Sequence, residues 1–254
     1  MKLFVLSDIH SFYEPMMAAL EEKGFNIYNQ NHHLIVCGDL FDRGPDAIKV
    51  FEFVKRLANE GRFHYVCGNH EELLFKCLNE IHGHIGMSSH HISNGTFDTI
   101  VQFSGVGKYD LLHGFYDKTE FATKMGEVVD FIADNAVNYV EFGNYVFVHG
   151  WIPCKQYTGK VDENWRDGDW EAARWINGMA AWYKGARLPN KTIVCGHFHA
   201  SWGHSHIHQD RKEFPQKNRS DWKKSFEIFE DEGIIALDAC TVYTGFCNCL
   251  VIEV

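Results

Sequence analysis

Seven short apolar runs punctuate the 254-residue chain, and five of them end in side chains able to hold a metal ion. The runs are KLFVLSD, HLIVCGD, FHYVCGN, NYVFVHG, KTIVCGH, GIIALDA and CNCLVIEV, starting at residues 2, 33, 63, 144, 191, 233 and 247. Runs this short, rich in β-branched residues and closed by glycine or a polar residue, read as buried strands. Helical patterns lie between them. Residues 45–60 open with Pro45 at a first-turn position and set Ile48, Phe51, Val54 and Ala58 on one face. Residues 71–82 space Leu74, Cys77, Leu78 and Ile81 helically, and residues 118–135 form a third such segment. Strands alternating with helices imply βαβ units, an α/β fold and a mixed sheet. The last two runs, joined by a short turn around Tyr243–Gly245, read as an antiparallel pair.

The strand ends carry the chemistry: Asp8 and His10, Asp39 and Asp42, Asn69 and His70, His149, then His197 and His199. A single aspartate after a strand is ordinary turn chemistry. In open α/β sheets, however, ligands gather at the carboxyl ends of strands, so five such ends would converge on one place. Carboxylate, amide oxygen and neutral imidazole suit manganese, iron or zinc, whereas magnesium favours oxygen ligands and retained water. Six or seven donors exceed the needs of one ion. Two ions are therefore expected, sharing a carboxylate and about 3.5–4 Å apart, able to hold a hydroxide for in-line attack on phosphorus.

Composition narrows the alternatives. Thirty-four acidic against 24 basic residues give a formal charge of −10, which repels polyphosphate and makes duplex nucleic acid a poor partner. A hydrophobic fraction of 45% excludes wholesale disorder. No apolar run approaches the roughly 18–20 residues that span a bilayer, so a soluble, cytoplasmic protein without a membrane partner is expected. Cys37, Cys67 and Cys195 each precede a glycine at a strand end and read, like the other five cysteines, as free small hydrophobes. Without linker or repeat, residues 1–254 read as one domain with a cap-like elaboration at about 151–232, which holds all seven tryptophans. There Trp175, Met179 and Trp182 share a helical face and read as core; the alternative is a cap receiving an aromatic base or phosphotyrosine. The His204, His206, His208 alternation reads as a solvated loop or edge, the alternative being a transition-ion site.

In order along the chain, Asp8-x-His10, Gly38-Asp39-x-x-Asp42-Arg43-Gly44, Gly68-Asn69-His70-Glu71, His149-Gly150 and Gly196-His197-x-His199 resemble the motifs of calcineurin-like metallophosphoesterases. The GDxxDRG and GNHE forms are similar to the phosphoprotein-phosphatase branch, especially its small bacterial and phage members. This resemblance implies a four-layer αββα sandwich with mixed β-sheets. It also implies residue roles: Asp8 and His10 as ligands of the first ion, Asp39 as the bridging carboxylate, and Asn69, His149 and His197 as ligands of the second. His70 would be the general acid, oriented by Asp42, and Arg43 the phosphate clamp, where a bidentate guanidinium serves better than lysine.

Three departures qualify the resemblance. The first motif reads SDIHS where the branch has GDxHG. His199 makes a GHxH that belongs to the wider family and would add a first-ion ligand. A second phosphate-binding arginine has no clean match; of Arg166 and Arg174, Arg174 is the expected one.

The expected enzyme is thus a metal-dependent phosphoric ester hydrolase with two divalent ions, manganese first and iron, zinc or nickel after it. A phosphomonoesterase of the protein Ser/Thr phosphatase type, acting on phosphorylated protein or a small phosphoester through a metal-bridging hydroxide, is the first expectation. A dinucleoside polyphosphate hydrolase is the alternative, followed by a phosphodiesterase or nuclease. A non-catalytic scaffold comes last, having no physical need for a general acid.

Overall fold

A computed structural model describes residues 1–83, 87–155, 157–215 and 219–254 of the chain. Its strands are β1 Lys2–Leu6, β2 His32–Cys37, β3 Phe63–Val66, β4 Ala136–Val137, β5 Val140–Phe142, β6 Tyr145–Phe147, β7 Cys154–Lys155, β8 Lys160–Val161, β9 Thr192–Cys195, β10 Phe229–Asp231, β11 Ile234–Ala236 and β12 Leu250–Glu253. One five-stranded sheet has the order β12-β1-β2-β3-β4, the other β10-β11-β9-β6-β5, and β7 pairs with β8 alone. Within the first, β1, β2, β3 and β4 are parallel and β12 is antiparallel to β1. Within the second, β6, β9 and β11 are parallel and the edge strands β5 and β10 antiparallel.

Side-chain alternation sorts these strands into layers. Leu3 and Val5 of β1 and Ile35 and Cys37 of β2 meet Phe147, Val194, Ile235 and Leu237 of the other sheet in a core between the two sheets. Phe4, Leu6, Leu34 and Val36 point the other way, against helices Tyr13–Glu22, Ala47–Asn59, Asn69–Gly83, Thr96–Ser104 and Lys118–Asn135. On the far side Val146, Ile193, Ile234 and Ala236 pack under Trp151, Trp165, Trp170, Met179 and Trp182. The result is four layers: helices, sheet, sheet, helices. Both faces of each sheet are buried, which is why the strands are apolar throughout rather than alternating. All eight cysteines are free, and no helix among the described residues is long and apolar enough to cross a membrane.

Several local expectations change in three dimensions. The last two apolar runs do not pair with each other: β11 lies in the second sheet and β12 crosses to the first, against β1. The thirteen residues between them are too many for a tight hairpin, and they include a helical turn, Thr241–Thr244. Helix Ala47–Asn59 starts after Asp46, so Pro45 precedes it. Its buried face is Val50, Phe51, Val54 and Leu57, while Ile48 is 49% exposed. Helix Gly178–Tyr183 buries Met179 and Trp182 but leaves Trp175 outside it and 44% exposed. The region 151–232, of which residues 156 and 216–218 lie outside the described residues, is woven into the domain: β9 is the central strand of the second sheet. Its buried indoles are satisfied, Trp151 donating to the Ala186 carbonyl at 3.0 Å and Trp182 to that of Glu232 at 2.9 Å.

The core between the sheets fixes how their strand ends align. Phe147 is fully buried there. Phe147→Ala should lower stability by about 3–5 kcal/mol, read as a lower urea midpoint with an unchanged m-value. A loss below about 1 kcal/mol would mean that the inter-sheet layer is not tightly packed there.

Candidate active site

The parallel strands of both sheets end at one edge, and there the backbone turns sharply. Among the described residues ten non-glycine positions have positive φ; eight of them sit here: Asp8, His10, Ser11, Asp39, Asp42, Arg43, His197 and Cys240. Each such position costs about 1–3 kcal/mol and persists only where neighbours over-determine it. Backbone bonds across the turns do so: Asp8 N to Gly38 O at 3.2 Å, His10 N to Asp39 O at 3.0 Å, Ser11 N to Leu40 O at 3.0 Å and Gly44 N to His10 O at 2.9 Å. Glycine is required where chains nearly touch. A Cβ on Gly196 would lie 1.7 Å from Ser7 Oγ, and one on Gly38, whose φ is +81°, 2.4 Å from His149 Nδ1.

Asp39 stands at the centre. Its Oδ2 faces His10 Nε2 at 3.7 Å and its Oδ1 faces His149 Nε2 at 3.3 Å, while Oδ1 also accepts from the His70 backbone N–H at 3.0 Å. Two trios share this carboxylate, His10–Asp39–His70 and Asp39–His149–His197, each with ligand atoms within 4.8 Å of one another. Asn69 Oδ1 lies 2.7 Å from His149 Nε2 and 3.0 Å from His197 Nδ1. Asp8 stands outside both trios but feels the charges of His149 and Asp39; its Oδ2 accepts from the Ser7 hydroxyl and, at 2.9 Å, from the His197 backbone N–H.

The arrangement of acceptors fits divalent cations. His149 spends Nδ1–H on the Cys37 carbonyl at 2.8 Å, and His10 spends its own on the Phe41 carbonyl at 3.0 Å. The remaining Nε2 lone pairs then point at oxygens of Asn69 and Asp39, acceptor against acceptor, which is repulsive unless a cation lies between. Donation of the second ring nitrogen to a carbonyl is also how metal-ligating histidines are held. Burial raises Asp8 to about 6 and Asp39 to about 7, with the charge of Asp39 adding to it at Asp8 and that of Glu71 at Asp39. Burial likewise holds His10 well below its usual range and takes His197 down to about 3. Carboxylates pushed towards neutrality beside uncharged imidazoles are a donor set that gains from positive charge. Asp8, His10, Asp39, Asn69, His149 and His197 thus fit the divalent ions that the motifs imply.

A second group lines the rim. His70 Nδ1 donates to Asp42 Oδ2 at 2.7 Å, and Arg43 Nη2 donates to His70 Nε2 at 3.1 Å. Asp42 is fixed by hydroxyls, Thr96 on Oδ2 at 2.6 Å and Thr99 on Oδ1 at 2.7 Å. Burial works against a charged His70, but Asp39 and Asp42 outweigh it and raise its pKa. Arg43 is exposed beside these buried groups.

Two expected residues are not brought into the cluster. His199 turns away, with Nδ1 2.9 Å from Ser201 Oγ and Nε2 3.5 Å from Glu213. Arg174 is committed to Glu72 and, at 2.6 Å, to Asn138, bracing helix Asn69–Gly83 from behind rather than facing a phosphate; Arg166 pairs with Glu141 at 2.8 Å. Conversely, the buried Asp238 faces the site and shares its field with Asp8 and Arg43; burial holds it well above the usual carboxylate range. It ends the GIIALDA run, so the signal that found the other acids applied to it too. Glu71 is also buried and accepts the N–H groups of Gly68, Asp39 and Leu40 at 2.7, 3.1 and 3.0 Å.

The family model described as calcineurin-like phosphoesterase matches residues 1–228. An asymmetrical bis(5'-nucleosyl)-tetraphosphatase from Bacillus velezensis is 34% identical over 80 residues, which are 29% of this chain and 32% of that protein. A symmetrical bis(5'-nucleosyl)-tetraphosphatase from Buchnera aphidicola is 34% identical over 94 residues, 37% of this chain and 31% of that one. The chain therefore spans about a third of the length of these curated relatives. Among solved structures, the cold-active protein-tyrosine phosphatase of a psychrophilic Shewanella aligns with a TM-score of 0.51 and 16% identity, covering 99% of this chain and 75% of that one. At that identity the likeness concerns the fold. With its fold, its ordered motifs and a model match over most of its length, the chain belongs to the calcineurin-like phosphoesterase family.

Proposed function

We propose that the chain is a phosphohydrolase working with two divalent ions, and that its substrate is a small phosphate ester or anhydride, a dinucleoside tetraphosphate before a phosphoprotein. The observation that carries the chemistry is the Asp39 carboxylate, placed between His10 on one oxygen and His149 on the other. Asp8, His10 and Asp39 would hold one ion, and Asp39, Asn69, His149 and His197 the other. Bound divalent ions supply Lewis acidity towards phosphoryl oxygens and lower the pKa of water. Manganese is the first candidate, with iron, zinc or nickel after it.

The chain's own residues do the rest. Arg43 is exposed at the rim and offers a planar fork for two phosphoryl oxygens. Asp42, already held by Thr96 and Thr99, can only accept from His70, so the His70 Nδ1 proton stays there and Nε2 is the atom that meets the substrate. Arg43 occupies Nε2 at 3.1 Å; when the guanidinium swings to a phosphate, Nε2 becomes free to take up a proton from solvent and then to deliver it to the departing oxygen. Protonation of His70 is favoured by Asp39 and Asp42 against the cost of burial.

The substrate reading rests on two supports. Relatives that are 34% identical over 80 and 94 residues carry the name bis(5'-nucleosyl)-tetraphosphatase. Trp175, half-exposed, stands edge-on to His197 at 5.8 Å between centroids, so an aromatic surface adjoins the centre where a nucleobase could stack. The phosphoprotein reading rests on the forms of the motifs alone. Initial rates with diadenosine tetraphosphate, a phosphoserine peptide and bis-para-nitrophenyl phosphate, all with manganese, decide between them. A kcat/KM for the peptide above that for the dinucleotide would reverse the order, and no turnover of any of the three would sink the enzyme reading.

Two substitutions test the machinery. Arg43→Lys keeps the charge and loses the fork; kcat/KM should fall about tenfold or more, and unchanged kinetics would remove Arg43 from the site. His70→Asn should slow an alkyl phosphate by roughly 10²–10⁴-fold and para-nitrophenyl phosphate far less, because the latter's leaving group needs no proton. Metal content should stay near that of the wild type. Equal losses on both substrates would mean that His70 is not the acid.

A further inference from the structure

We propose that His204, His208 and Asp210 form a second metal site, separate from the catalytic centre and suited to a divalent transition ion of the zinc class. Local backbone geometry builds it. His204–His208 is a turn of π-helix that ends at Gln209, whose φ of 55° reverses the chain. Asp210 N then bonds back to the His204 carbonyl at 3.2 Å, which lays the Asp210 carboxylate against the His204 ring. The three side chains each offer a ligand atom within 4.8 Å of the other two. π-turns of this kind recur at functional positions.

The proton positions favour a cation. His204 is buried, and its Nε2 lies 3.3 Å from the Glu227 carbonyl, to which it donates. The lone pair is therefore on Nδ1, a buried atom with no hydrogen-bond partner among the described residues. Nδ1 lies 3.8 Å from Asp210 Oδ1, too far for a hydrogen bond but close to the spacing of two ligands on one ion, about 3.3 Å for a tetrahedral site with bonds near 2.0–2.1 Å. Burial keeps His204 below its usual pKa, with Arg211 adding to that. Arg211 occupies only Asp210 Oδ2, at 3.3 Å, and leaves Oδ1 turned to His204. His208 Nε2 meets Asp231 Oδ2 on β10 at 3.1 Å, a carboxylate–histidine contact of the sort that orients ligands, or a fourth donor. Phe229 packs on both rings, with centroids at 5.5 and 4.7 Å, and shields one side from water. His208 and Asp210 are partly exposed, so an ion can enter and the two side chains can close on it.

The site would tie the segment after β9, which begins with His197, to edge strand β10. Its role would be to stiffen that segment rather than to react. In equilibrium dialysis of the metal-free full-length protein against zinc, His208→Ala and Asp210→Asn should each bind about one zinc fewer per chain than wild type and lose part of the zinc-induced rise in Tm. Both should keep manganese-dependent turnover. Equal zinc stoichiometry in all three proteins would overturn the proposal. Independently of any substitution, a zinc-soaked crystal of the wild type should show anomalous density between His204, His208 and Asp210; density at the Asp39 centre with none here would overturn it as well.

Discussion

One buried carboxylate, that of Glu71, ties together the two turns on which the centre depends. It lies in the first turn of helix Asn69–Gly83 and takes up the N–H groups of Gly68, Asp39 and Leu40. The turn after β2 and the turn after β3 are thus joined through one side chain, and Asp39 is presented at their junction. Three N–H groups left unpaired in a buried site would each cost about 1–3 kcal/mol, comparable to the strain of the left-handed residues around them. The strained backbone persists because such bonds fix it. Donors held this way need little rearrangement on binding a cation.

Layering explains why the donors meet at all. Seven parallel strands from two sheets, β1, β2, β3, β4, β6, β9 and β11, end at one edge, and the core that runs through Phe147, Val194 and Leu237 locks the sheets in register. Asp8, Asp39 and Asn69 come from the first sheet; His149, His197 and Asp238 come from the second. Neither sheet alone holds a complete set. The site therefore depends on inter-sheet packing as directly as on its ligands, and softening that core would separate the halves of the donor set before it unfolded either sheet.

What was legible in the amino-acid sequence follows from the range of the interactions. Every one of the seven apolar runs is a strand, because burial on both faces leaves a continuous mark. The strands β4, β5 and β10 left no such mark, being two or three residues long and only partly buried. Pairing partners were less readable: β12 sits beside β1, nearly the whole chain away, and nothing local announces that. Side-chain direction was the least readable property. His199 belongs to the GHxH motif and Arg174 to no clean motif, and Ser201 and Glu213 hold the one, and Glu72 and Asn138 the other, away from the cluster. Asp238 closes the GIIALDA run, and the strand-end signal that marks the other donors marks it as well.

A single device recurs at His10, His149 and His204. His10 gives its Nδ1–H to the Phe41 carbonyl, and His149 gives its own to the Cys37 carbonyl; His204 gives Nε2–H to the carbonyl of Glu227. In each case backbone fixed by strand or turn consumes the ring's donor, settles the tautomer and leaves a lone pair aimed at carboxylate or amide oxygen. Carbonyls are abundant at strand ends because the ladder stops there, so the same edge supplies both the acids and the acceptors that orient the histidines between them. By contrast His70 meets a carboxylate through Nδ1, and Asp39 and Asp42 raise its basicity against the cost of its burial. The chemical difference between a histidine poised to bind a cation and one poised to carry a proton therefore lies in how far neighbouring carboxylates offset burial, and at His70 Asp39 and Asp42 do so together.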